Sequence, residues 1–213
     1  MKLRISLSLL TLCLMLAAVP TAAQTIYDNG PINGNVNGWT INFGFIVSDT
    51  FNVANSGTTI TGGAFGMWLF PGDTLTSAEL SITSGENGGT SYFDQTVNFT
   101  TGGCAMNQYG YNVCQENTSF NGPTLNMGSY WMNLQNASVH NGDPVYWDMN
   151  SGPSSASAST VGTIYSESFT VLGSESSTTT STTTTGTVPE PGSLILFASG
   201  FFGLTAMLRR KLL

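Results

Sequence analysis

The chain has 213 residues, with Lys+Arg 5, Asp+Glu 12 and His 1, so its formal net charge is -7 and only 8% of residues are charged, about a third of the ~25% usual for a soluble domain. The bases are Lys2, Arg4, Arg209, Arg210 and Lys211, which leaves residues 24–173 with ten acids and no base. A surface of that sign repels phosphate and anionic head groups, which excludes a nucleic-acid partner.

Met1-Lys2-Leu3-Arg4 is followed by an apolar run from Ile5 to Val19 and by the small residues Thr21-Ala22-Ala23. These are the three regions of a secretory signal peptide, cut by signal peptidase after Ala23. An uncleaved anchor is the competing reading, but the apolar run is short and Thr21 and Ala23 suit the peptidase. The rest of the chain is therefore expected to be exported.

Residues 24–173 contain 21 Gly and 18 Asn, which punctuate short runs rich in aromatic and β-branched residues. In chain order the runs are Trp39 to Val47, Thr58 to Phe70, Thr76 to Thr83, Tyr92 to Thr100, Gln108 to Cys114, Ser129 to Val139, Val145 to Met149 and Thr163 to Leu172. Several alternate with period two: Phe65, Met67 and Leu69, then Tyr130, Met132 and Leu134, then Val145, Trp147 and Met149. Short alternating strands between turn residues predict an all-β fold, an antiparallel β-sandwich of jelly-roll type, long enough to bury one hydrophobic centre. No window has a helical period.

Cys13 leaves with the signal peptide, so Cys104 and Cys114 are the cysteines of an exported domain, and their spacing suits a disulfide closing a local loop. A two-thiol metal site would need further Cys or a nearby His, and neither is present in sequence.

Ser174 to Thr187 has no apolar residue. Such a tract buries nothing to offset its conformational entropy and is expected to be an extended, disordered stalk, open to O-glycosylation. Beyond it come Val188-Pro189-Glu190-Pro191-Gly192-Ser193, an apolar stretch from Leu194 to Leu208, and Arg209-Arg210-Lys211. At ~1.5 Å per residue the apolar stretch spans about 22 Å as a helix, short of the ~30 Å bilayer core. That length suits transient retention by one C-terminal transmembrane helix, residues 194–208, with the basic cluster as a cytoplasmic stop.

The order of box, apolar helix and basic stop resembles the PEP-CTERM sorting signal of Gram-negative bacteria. The resemblance implies an exosortase-type enzyme that recognises Val188, Pro189, Glu190, Pro191 and Gly192 and processes the tail. It also implies a cell-surface or extracellular-matrix destination associated with exopolysaccharide, biofilm and floc formation. The same tail circulates under the label of an ice-binding protein C-terminal domain; that label describes a sorting tail, and the Thr residues outside the stalk recur at no fixed T-x-T spacing. Within residues 24–173, Tyr27 to Pro31, Tyr130 to Asn136, Asn141 to Asp148 and Asn150 to Pro153 resemble segments of a group of PEP-CTERM surface proteins. That second resemblance implies no catalytic or binding residue.

Candidate chemistry is sparse. His140, the single histidine, lies in a polar Val-His-Asn-Gly turn and suits a solvated loop better than a catalytic base. Asp143, Asp148 and Glu167 are the carboxylates from which a glycoside hydrolase would draw its pair, although scattered acids make such a pair easy to imagine. Asp143 and Asp148, flanked by carbonyl-rich Asn and Gly, have the oxygen chemistry of a structural Ca²⁺ site, with surface solvation as the plainer reading. No other cofactor is expected. Sugars are gripped by aromatic faces and neighbouring amides, so Trp131, Asn133, Tyr146 and Trp147 are the glycan-binding candidates. Alternation turns Trp131 away from Tyr130 and Met132, whereas Trp147 shares a face with Val145 and Met149 and competes as a core residue.

The sequence therefore predicts a four-part chain: signal peptide 1–23, β-sandwich core 24–173, Ser/Thr-rich linker 174–187 and sorting tail 188–213. Its expected role is non-catalytic and exopolysaccharide-associated. A secreted polysaccharide-active hydrolase and a structural adhesin without a glycan ligand are the alternatives.

Overall fold

Residues 23–176 are described by a computed structural model, and within them the alternating runs become strands. The strands are β1 (Gln24–Asp28), β2 (Gly38–Thr40), β3 (Ile46–Val53), β4 (Thr58–Leu69), β5 (Leu75–Gly85), β6 (Gly88–Asn98) and β7 (Thr100–Met106). They continue as β8 (Asn112–Ser119), β9 (Thr124–Leu125), β10 (Gly128–Val139), β11 (Tyr146–Asp148), β12 (Ala156–Ala158), β13 (Gly162–Ile164) and β14 (Phe169–Glu175). All pairings are antiparallel, and the described residues contain no helix.

Two sheets form. In the first, β1 pairs β14, β14 pairs β4, and β8 lies on the other side of β4 with β7 beyond it. β11 and β2 continue beyond β14 along the same flank of β4, opposite Met67 and Trp68. The second runs β13-β12-β3-β10-β5-β6. The orders β1-β14-β4-β8 and β3-β10-β5-β6 interleave along the chain as two Greek keys, which is the jelly roll expected from the sequence.

Alternation decides the faces. Phe65, Met67 and Leu69 of β4, Trp147 of β11, and Phe169 and Val171 of β14 point inward from the first sheet. Phe51, Leu80, Ile82, Met132 and Leu134 meet them from the second. Each such side chain contributes about 1.5 to 3 kcal/mol through burial. Phe65, Trp147 and Phe169 form an aromatic triangle with centroids 5.5 to 6.2 Å apart, Trp147 meeting both phenylalanines edge-on while these stack on each other, geometry that adds to the area term.

β14 continues past the expected boundary of the linker. Ser174 and Glu175 pair with Thr59 and Thr58, and Asn55 Nδ2 donates to Glu175 Oε1 at 3.0 Å. Polar composition marked these two residues as stalk, but the ladder partner on β4 makes them strand. The expected signal peptide up to Ala22, the expected linker from Ser177, the sorting box and the apolar segment 194–208 lie outside the described residues. Among the described residues no helix is long and apolar enough to cross a membrane.

Candidate functional site

Cys104 and Cys114 face each other across the β7–β8 ladder and are joined by a disulfide. The bond staples a hairpin whose tip is shaped by Asn107: its Oδ1 accepts the backbone N–H groups of Tyr109 and Tyr111, each at 3.0 Å. Between them Gly110 takes a φ of 85°, a left-handed conformation that favours glycine. The tip thereby presents two tyrosines toward the outer face of the first sheet.

On that face stands Trp68, whose neighbours Met67 and Leu69 point into the core. Tyr109 stacks on the indole with centroids 5.8 Å apart and planes at 22°, and Tyr111 lies tilted at 5.7 Å. Tyr111 in turn meets Tyr146 edge-on at 5.6 Å and Phe70 at 5.0 Å. The indole is oriented from behind by Asp148, whose Oδ1 accepts Trp68 Nε1 at 2.6 Å and Gly34 N at 2.8 Å while Oδ2 accepts Asn33 N at 2.6 Å. One buried carboxylate thus fixes both the tryptophan and the loop before β2.

Between hairpin and loop runs an open groove of about 450 Å³, lined by Val36, Asn37, Gly38, Trp68, Tyr109, Tyr111 and Tyr146. Gly38 keeps its floor low, since a Cβ there would stand 2.9 Å from Tyr146 Cβ and 3.1 Å from the Trp147 carbonyl. Tyr109 is 55% exposed, so part of its ring is free to meet a ligand. Burial, followed by the adjacent Tyr111 hydroxyl, pushes Tyr146 up to about 12, so at neutral pH its phenol is a proton donor. No lining residue carries a charge. Aromatic faces, phenol groups and one amide suit a neutral, polyhydroxylated ligand.

The four glycan candidates from the sequence are not brought together. Tyr146 lines the groove, but Trp147 is 0% exposed inside the core and donates Nε1 to the Ser168 carbonyl at 3.0 Å. Alternation with Val145 and Met149 had left that outcome open, and packing against Phe65 and Phe169 decides it. Trp131 and Asn133 belong to β10 in the other sheet. Trp131 is partly exposed, whereas Asn133 is covered by the β5–β6 turn: its Oδ1 accepts Asn87 N at 3.1 Å and its Nδ2 donates to Thr83 Oγ1 at 2.9 Å.

Asp143 and Asp148 share no hydrogen-bond partner. Asp143 lies beside Asp73 and is raised from its ordinary value, by desolvation first and by Asp73 second; Asp148 is occupied by the three N–H groups behind Trp68. Glu167 is fully buried and raised well above the carboxylate range, by burial first and then by Asp49 and Asp148. His140 is exposed in its turn. Among the described residues no group of three His, Cys, Asp or Glu side chains is placed to hold a metal. Trp68, Tyr109 and Tyr111 escaped the sequence reading, and the one local signal for them was an aromatic pair around Gly110 inside the Cys104–Cys114 loop.

The tail carries a likeness to known proteins. Residues 187–211 match a family model described as the PEP-CTERM protein-sorting motif. The chain carries a PEP-CTERM sorting motif. Its span takes in the Val188 to Gly192 box and the Arg209-Arg210-Lys211 cluster, and it marks the protein as exported, surface-directed and processed by an exosortase-type enzyme. No curated protein and no solved structure matches the chain.

Proposed function

We propose that this PEP-CTERM protein is a non-catalytic, exopolysaccharide-associated surface protein whose jelly-roll core binds neutral glycan in the Trp68–Tyr109–Tyr111–Tyr146 groove. The observation that carries the reading is the groove itself. Its aromatic rings suit the apolar face of a pyranose, while the phenols and Asn37 are of the chemistry that bonds hydroxyl groups. Export brings that groove to the side of the envelope where polysaccharide is found, with residues 194–208 retaining the chain until the tail is processed.

The hydrolase alternative requires two carboxylates flanking a scissile bond at ~5 to 9.5 Å. The groove lining contains none, and Asp148, the acid behind Trp68, is fully buried. A specific observation favours the adhesin as a second reading: every residue of β7 is exposed and the strand pairs only with β8, leaving an open edge for strand addition.

Affinity electrophoresis of the exported protein through gels containing neutral or acidic polysaccharide tests the proposal. Retardation in a neutral gel that is lost in Tyr109→Ala and kept in Trp131→Ala is the expected result. Free migration in every gel, or equal retardation of Tyr109→Ala and wild type, would overturn it. Concentration-dependent oligomers in that case would move the weight to the β7 edge.

A further inference from the structure

Asp49 on β3 alternates with the core residues Val47 and Phe51, and Glu167, two residues before the core residue Phe169, bridges to Met149. Both carboxylates therefore point into the space between the sheets, and both residues are 0% exposed. Neither Oε1 nor Oε2 of Glu167 has a hydrogen-bond partner. An ionised carboxylate buried without a partner is strongly unfavourable, and the neutral form would still leave its O–H and carbonyl unsatisfied. The sequence has no Lys or Arg between Arg4 and Arg209 to neutralise it.

Asp49 by contrast is served by donors, its Oδ1 accepting the Thr50 N–H at 2.6 Å and its Oδ2 the Glu167 N–H at 2.6 Å. Asn29 Nδ2 lies 3.1 Å from Asp49 Oδ2, 2.6 Å from Ser154 Oγ and 2.6 Å from the Glu167 carbonyl. One amide nitrogen has two hydrogens and so serves two of these oxygens, while the Ser154 hydroxyl carries its own donor and keeps lone pairs to offer.

We propose that Asp49 and Glu167 hold a divalent cation of the Ca²⁺ type between the two sheets, with Ser154 Oγ and the Glu167 carbonyl as neutral oxygen ligands. Two carboxylates balance a charge of +2. Carboxylate, hydroxyl and carbonyl oxygens form a Ca²⁺ ligand set, whereas Zn²⁺ would seek His or Cys and Mg²⁺ demands a stricter octahedron. The site differs from the Asp143 and Asp148 candidates of the sequence, and it joins β3 of one sheet to the segment entering β14 of the other.

The test is thermal unfolding of the exported protein, stripped with chelator and titrated with CaCl₂ or MgCl₂, together with Tb³⁺ luminescence sensitised by nearby Tyr27. Saturating Ca²⁺ should raise Tm by about 5 to 10 °C, with Mg²⁺ giving a smaller shift. Glu167→Gln should lose the Ca²⁺ shift and the Tb³⁺ signal, and Asp143→Asn should keep both. Should Glu167→Gln not fold, Asp49→Asn and the Ca²⁺ content of gel-filtered wild type decide, with one ion per chain expected. A wild-type Tm indifferent to Ca²⁺, a shift that survives in Glu167→Gln, or a shift lost only in Asp143→Asn would each overturn the site.

Discussion

Asp148 holds the back of the groove together, and Asp148→Asn measures how much of the fold depends on it. The carboxylate is 0% exposed and accepts three N–H groups at 2.6, 2.8 and 2.6 Å. Hydrogen bonds to a charged acceptor contribute about 1.5 to 3 kcal/mol each, neutral ones about 0.5 to 1.5. The amide oxygen can still serve the two donors now on Oδ1, at neutral strength, but an NH₂ group replaces Oδ2 and opposes the N–H of Asn33. One bond is lost outright and two weaken, a combined loss of about 5 kcal/mol on those increments. Relief from burying a charge offsets part of it, so the expected net loss is about 2 to 4 kcal/mol. Urea unfolding at pH 7 reads that loss, and polysaccharide gels should show weaker retardation because the loop at Asn33 and Gly34 is freed. A loss below about 1 kcal/mol with unchanged retardation would refute the anchoring role.

The Cys104–Cys114 bond closes a loop of sequence separation 10, for which loop-closure entropy gives about 2 to 3 kcal/mol. Reduction should lower Tm and retardation together, because the staple sits at the base of the tyrosine-bearing hairpin; a Tm indifferent to dithiothreitol would contradict this. Glu116 is raised from 4.5 to about 7 by burial, against the opposing hydroxyl of Thr101. A carboxyl raised in the folded state binds more protons folded than unfolded, so its contribution is fully present below pH 4.5 and is lost as pH rises through 7. Urea midpoints should fall across that window, and Glu116→Gln should flatten the fall; parallel profiles would be evidence against it. Replacing Pro189, Glu190 and Pro191 with Ala should leave unprocessed chain in the membrane fraction, and normal release of that variant would show that the box is not what the processing enzyme reads.

The core was legible where one face of a strand is apolar and the other is not, as in Tyr130, Met132 and Leu134, because alternation then has a single solution. It failed where that contrast is missing. β7 is exposed along its whole length and carries no buried face to announce it. The run from Trp39 to Val47 reads as one strand but breaks at a turn, where Phe43 and Gly44 take φ of 58° and 84° and Phe43 is 62% exposed. The groove was harder still. Trp68 is buried beside Met67 and Leu69, so the run conceals which of its residues faces out. The approach of Tyr109 and Tyr111 depends on a hairpin folding back over β4, a non-local event that spacing does not encode.

The two sheets use their outer faces differently, and this places the groove. On the second sheet the β5–β6 turn folds over its neighbours, Asn87 reaching Asn133 of β10 and Glu86 meeting Ser157 of β12, which covers the middle of that face. On the first sheet the cover is divided between the loop before β2 and the stapled hairpin, which leaves a trough between two separate walls. The charges follow the same division. The groove lining is neutral, while residues 24–173 carry ten acids and no base, so an anionic polymer is repelled over a Debye length of about 10 Å at 0.1 M salt before it can stack. On the proposed glycan-binding reading, selection by charge therefore acts at long range and selection by ring stacking at contact, and both favour a neutral chain.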